Sequence, residues 1–113
     1  MELLSKLRLT LIDQLLIKLY DMLYMIIETF HPNKVKQLYK RFEEKGRQLP
    51  AGVHYINSWI DEDVKKCYQV MESATEEKIH EWVQHWIDLS DFQIIPVLTS
   101  DQTKEKVIKG ELG

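Results

Sequence analysis

The sequence predicts an α+β domain in which two helices cover one face of a four-stranded antiparallel sheet. Three observations lead there. Four apolar runs rich in strand-forming residues are spread over residues 22–98. Two stretches with helical apolar spacing separate the first run from the second and the third from the fourth. Only Asp61-Glu62-Asp63 links the middle pair, so these strands must run antiparallel as a hairpin.

Taken in order, residues 3–20 read as a helix. Leu4, Leu7, Leu11, Leu15 and Leu19 lie on one stripe at spacings of three and four, widened by Leu3, Leu9, Ile12, Leu16 and Ile17. So apolar a helix needs a cover: the main domain, a second copy, or a membrane surface. A plainer reading makes Met22 the natural start and residues 1–21 a weakly constrained extension. Lys6, Arg8, Asp13 and Lys18 interrupt the apolar run, which argues against a signal peptide and a transmembrane helix. A cytoplasmic location is therefore expected.

The run LYMIIETF (23–30) is a strand stopped at His31-Pro32. Asn33 is the expected N-cap of a helix with Val35, Leu38, Tyr39 and Phe42 on its apolar stripe, and Gly46 its left-handed stop. VHYINSWI and KKCYQVME form the hairpin. Ser73 or Thr75 caps the next helix, whose Ile79, Trp82, Val83 and Trp86 face the core. The last strand is FQIIPVL (92–98), with Pro96 marking an edge. Residues 101–113 form a polar tail, either a short helix or loose chain. Strand, helix, strand, strand, helix, strand over residues 22–100 is the ferredoxin-like order.

Composition narrows the function. The 113 residues, 44% hydrophobic and 29% charged, suit one globular domain, and a net charge of −3 argues against a nucleic-acid surface. The single Cys67 forms no internal disulfide.

Strand residues alternate between faces. With a turn at Asp61–Asp63, Ile60 pairs with Val64 and Asn57 lies opposite Cys67. One set (Leu23, Met25, Ile27, Ile56, Ile60, Tyr68, Val70, Phe92 and Ile94, with polar His54 and Ser58) is assigned to the core beneath the helices. The other includes Tyr24, Ile26, Glu28, Phe30, Val53, Tyr55, Asn57, Trp59, Cys67, Gln69, Met71, Gln93, Ile95 and Val97. Left open, it would be an apolar patch of several hundred Å². A second copy is the natural cover, giving a two-fold homodimer through the sheet face, with the N-terminal helix as the rival cover. Polar Glu28, Asn57, Cys67 and Gln69 among apolar groups suggest a cavity for a small, largely apolar ligand. Its candidate lining is Tyr24, Glu28, Tyr55, Asn57, Trp59, Cys67 and Gln69.

The stretches MLYMIIETF, LYKRFEEKGRQLPAGVHYINSW, CYQVMES and DLSDFQIIPVLTS resemble an uncharacterised family of small bacterial proteins within the dimeric α/β-barrel superfamily. The resemblance implies a ferredoxin-like fold with two sheets facing across a dimer, and it implies no activity. Relatives elsewhere in that superfamily include cofactor-free monooxygenases, haem-degrading enzymes and ligand binders, and a shared fold does not choose among them. Residues 1–21 lie outside it.

Each chemical constellation has a plainer rival. His80 and His85 are five apart, roughly 140° around a helix, the wrong spacing for paired metal ligands. Glu81 and His85 have the right spacing but sit on a charged face, so no metal is expected. No cofactor is expected either, since His54 falls on the assigned core face, away from any haem. Cys67 reads as a small buried hydrophobe more than as a nucleophile. Glu28 near Tyr24, with Asn57 and Trp59 across the sheet, could serve a small cofactor-free oxygenase or isomerase. The rival is a Glu28 that reaches solvent and pairs with a cation. KRFEEKGR reads as a solvated helix face. A ligand-binding dimer, an enzyme using the same cavity, and a structural dimer with no cavity are the three readings that remain.

Overall fold

The computed structural model describes residues 21–110; the helix expected over residues 3–20 lies outside them. The described chain runs β1 (Met22–Phe30), α1 (Val35–Lys45), β2 (His54–Ile60), β3 (Lys66–Ser73), α2 (Glu76–Gln84), β4 (Ser90–Val97) and α3 (Ser100–Ile108). All strand pairs are antiparallel, in the order β2-β3-β1-β4, which is the ferredoxin-like arrangement. β4 is an edge strand, as Pro96 requires, because an edge leaves proline's missing N–H without consequence.

Local chemistry sets the element ends. The α1 helix starts at Val35 after Lys34, with no side-chain cap, and Asn33 sits one residue earlier in the left-handed region, φ 64°. Asparagine tolerates that conformation, so it makes the turn instead of capping the helix. Gly46 at φ 68° ends α1, its N–H donating to the Phe42 carbonyl. Thr75 caps α2 by accepting from the Lys78 N–H. The polar tail forms α3, closed by a capping box between Thr99 and Gln102, with no buried side chain.

The hairpin turn is longer than Asp61–Asp63. Asp61 Oδ1 accepts from the backbone N–H groups of Lys65 and Lys66 at 2.7 and 2.8 Å, so residues 61–65 form the turn and Ile60 pairs with Cys67. Asn57 consequently pairs with Val70, and a bulge at Ile56 puts Tyr55 and Ser58 on one face while Asn57 and Trp59 take the other.

The assignment of faces on β1 and β3 is the reverse of the sequence expectation. Beneath the helices lie Tyr24, Ile26, Glu28 and Phe30 from β1 with Cys67, Gln69 and Met71 from β3, all buried. They pack with Leu38 of α1 and with Ile79, Trp82, Val83, Trp86 and Leu89 in and after α2. Phe92 and Ile94 of β4 join this side as expected, opposite Glu28 and Ile26 in the β1 ladder. Leu23, Met25, Ile27, Tyr68 and Val70 instead lie on the far face, which carries no helix among the described residues. His54 is exposed there.

The physical reason is that both faces are apolar. Alternation divides a strand into two sets but gives no preference when each could be a core. Thr29, Lys66 and Glu72 share parity with the far-face set, and the exposed Asp91 and Gln93 of β4 lie on the same side as ladder partners of Thr29 and Ile27; these were the polar signal for that face.

Candidate functional site

The core is incomplete beneath α1. Leu38 is the only buried residue of that helix, and Tyr39 and Phe42 remain 44% and 39% exposed. Between them and the β2–β3–β1 side of the sheet lies an open pocket of about 100 Å³. Its floor is Glu28 and Phe30 from β1 with Cys67 and Gln69 from β3. One wall is Ser58 and Ile60 of β2, and the other is the indole pair Trp82 and Trp86. Leu38, Tyr39 and Phe42 form the roof, and Arg47, just past α1, completes the rim.

Glu28 is 6% exposed. Gln69 Nε2 donates to one of its carboxylate oxygens at 3.1 Å, and Ser90 Oγ to the other at 2.8 Å. Burial pushes the Glu28 carboxyl above its usual range, and it outweighs those two hydrogen bonds and the nearby Arg47 charge, which all favour the carboxylate. The same burial, with the Glu28 charge beside it, pushes the Cys67 thiol up to about 11 against the opposing pull of Arg47. At neutral pH Cys67 is a thiol and not a nucleophile.

Arg47 is held from both ends. Its carbonyl accepts from Trp82 Nε1 at 2.8 Å and Trp86 Nε1 at 3.1 Å, which fixes the backbone where positive-φ Gly46 has turned it. Its guanidinium carbon lies 3.6 Å from the Tyr55 ring centroid and 5.1 Å from that of Phe42. Arg41 binds both carboxylate oxygens of Asp88 at 2.8 Å and the His85 carbonyl, tying α1 to the turn after α2. KRFEEKGR is thus more than a solvated helix face.

Of the candidate lining, Glu28, Cys67 and Gln69 meet in the pocket, and Tyr55 braces Arg47 at its rim. Tyr24 is buried without lining it. Asn57 and Trp59 project from the opposite face, so they share no site with Glu28 within one protomer. Nor is Glu28 a solvent-facing residue paired with a cation; its neighbours are a hydroxyl and an amide. Sequence reasoning missed Ser90, Arg47 and the lining role of Trp82 and Trp86. An arginine directly after a helix-ending glycine was the available signal for Arg47.

A pH dependence follows. In the unfolded chain Glu28 titrates near 4.5, whereas the folded carboxyl holds its proton to higher pH. The native state therefore binds more protons between those values, so this contribution is full below 4.5 and is lost as pH rises through the folded value. Glu28→Gln keeps acceptor and donor atoms for Gln69 and Ser90 and removes the titration. We expect its urea midpoint to decline less than wild type over this interval; parallel pH curves would contradict the burial of an ionisable group here.

Among the described residues no three of His, Cys, Asp and Glu converge as a metal site, and no helix is long and apolar enough to cross a membrane. The model of one family, Domain of unknown function (DUF3303), matches residues 22–111, and the chain belongs to that family. No curated protein and no solved structure gives a match.

Proposed function

We propose that this DUF3303 domain binds a small, largely apolar molecule in the pocket between α1 and the sheet, and that two copies pair through the open sheet face. The pocket itself is the observation that supports binding. A nearly complete core leaves about 100 Å³ open, ringed by Phe30, Phe42, Trp82 and Trp86 around a satisfied, buried carboxyl. A dry apolar cavity of roughly 150 Å³ holds benzene, so a group near that size fits with small side-chain movements. The ligand space belongs to each protomer instead of lying between facing sheets.

Pairing is supported by the far face, where Trp59 is 56% and Tyr68 36% exposed beside Leu23, Met25, Ile27 and Val70. Trp59 on the edge strand β2 pairs with Tyr68 on the inner strand β3, and rings set beside aliphatic side chains are the composition of an interface core. The free thiol of Cys67 suits a reducing compartment, and we place the protein in the cytoplasm. An enzyme using Glu28 with Asn57 and Trp59 loses its geometry, because the sheet separates them.

Binding is tested by a thermal-shift screen of single-ring and branched aliphatic compounds. Compounds that fit raise Tm, by an amount equivalent to about 2.7 kcal/mol at a hundredfold excess over Kd. Ile60→Trp, which fills the pocket wall, should abolish the shift while the far-UV spectrum stays unchanged. If no compound raises Tm, or if the filled variant responds equally, the pocket is not a binding site.

A further inference from the structure

The guanidinium of Arg47 is stacked but unspent. Phe42 and Tyr55 lie against it, and such stacking engages the π face and leaves the N–H edge available. Among the described residues no carboxylate lies within 4 Å of it, and its five N–H groups make no hydrogen bond to a side chain or carbonyl. The one acidic group in the pocket, Glu28, already has each oxygen engaged, by Gln69 and by Ser90. A half-buried cation thus stands at the rim of an apolar pocket with no carboxylate paired to it among the described residues.

We infer that the pocket's ligand is a small organic carboxylate, its carboxylate paired with the Arg47 guanidinium and its apolar body lying inward against Phe30, Leu38 and Trp82. This inference rests on the pocket being a binding site and adds the ligand's chemical class. Three features support the orientation. A planar guanidinium matches a carboxylate with two parallel hydrogen bonds. The acidic Glu28 on the floor disfavours a second anion there, so the head group faces the rim. The volume admits a body about the size of one ring or a short branched chain. Arg47 is also set before any ligand arrives, since the indole hydrogen bonds hold its carbonyl and two rings hold its side chain, which lowers the ordering cost of binding.

The test uses the full chain and two probes of equal shape, benzoate and benzyl alcohol, followed through the tryptophan indole N–H signals by NMR. Trp82 and Trp86 report the pocket, and Trp59, on the opposite face, is the internal control. Benzoate should shift the pocket signals saturably and bind about tenfold more tightly than benzyl alcohol, a difference of about 1.4 kcal/mol. Arg47→Gln should bring benzoate down to the affinity of benzyl alcohol, leaving the latter unchanged; Arg47→Lys should keep part of the preference. The indole anchors meet the Arg47 carbonyl, so both variants retain them. Equal binding of the two probes to the wild type overturns the carboxylate assignment and leaves the pocket reading intact. If neither probe moves the Trp82 and Trp86 signals, the pocket reading falls and this inference with it.

Discussion

Ile26→Asp should unfold the domain, whereas Ile27→Asp, one residue along the same strand, should leave a folded monomer. Ile26 is fully buried, opposite Gln69 and Ile94 in the ladders on either side. Aspartate there loses the isoleucine's packing, about 2–5 kcal/mol, and places a carboxylate where water cannot reach it. The sum approaches the whole stability of a typical domain, roughly 5–15 kcal/mol. Ile27 points to the open face, between Tyr68 and Gln93. A charge there remains hydrated in the monomer but sits at the centre of the proposed pairing surface. Circular dichroism melts with sedimentation velocity separate the two outcomes. Equal unfolding by both changes would mean that Ile27 also belongs to a core. A folded Ile27→Asp protein that remains dimeric would remove this face from the interface.

The second large effect is expected at Trp82. It is 2% exposed, meets Phe92 edge-on with centroids 5.5 Å apart, and donates its indole N–H to the Arg47 carbonyl. Trp82→Ala should cost about 3–5 kcal/mol in urea denaturation, the usual result of hollowing a core at a large ring. It should also release the Arg47 loop, which then depends on the longer Trp86 bond alone. Trp82→Phe separates the two contributions. It keeps a ring against Phe92 and loses one hydrogen bond, for about 1 kcal/mol before any packing loss. Trp59→Ala on the open face should change monomer stability far less, since that ring is more than half exposed. If Trp82→Ala costs no more than Trp59→Ala, the wall of the pocket is not part of the core.

Much of the candidate site was legible because parity alone brings its floor together. Glu28 and Cys67 are ladder partners, and Gln69 lies two residues along on the same face, so the sequence grouped them correctly. Asn57 and Trp59 were grouped with them in error, because a bulge at Ile56 changes parity within β2 and a five-residue turn shifts its register. Neither has a glycine or proline to announce it. Ser90 and Arg47 come from other elements, one from the first residue of β4 and the other from the loop after α1, and no spacing rule links them to Glu28.

By itself the sequence determined the order of elements over residues 22–98, the stop at Gly46, the edge position of β4 and the buried stripe of α2, and it narrowed the cap of α2 to Ser73 or Thr75. Each follows from short-range chemistry: a positive φ, a side-chain oxygen near free N–H groups, a missing donor, or a repeat of three and four. Only the tertiary structure decided which face of the sheet lies under the helices. Leu23, Met25 and Ile27 are as apolar as Tyr24 and Ile26, so hydrophobic burial could be satisfied on either side. The decision came from the polar members. Glu28 finds Gln69 and Ser90 inside the domain, and their hydrogen bonds offset part of the cost of burying it, while Lys66 on the other parity is exposed. That balance depends on hydrogen-bond partners dozens of residues apart, and these become neighbours only once the sheet has formed.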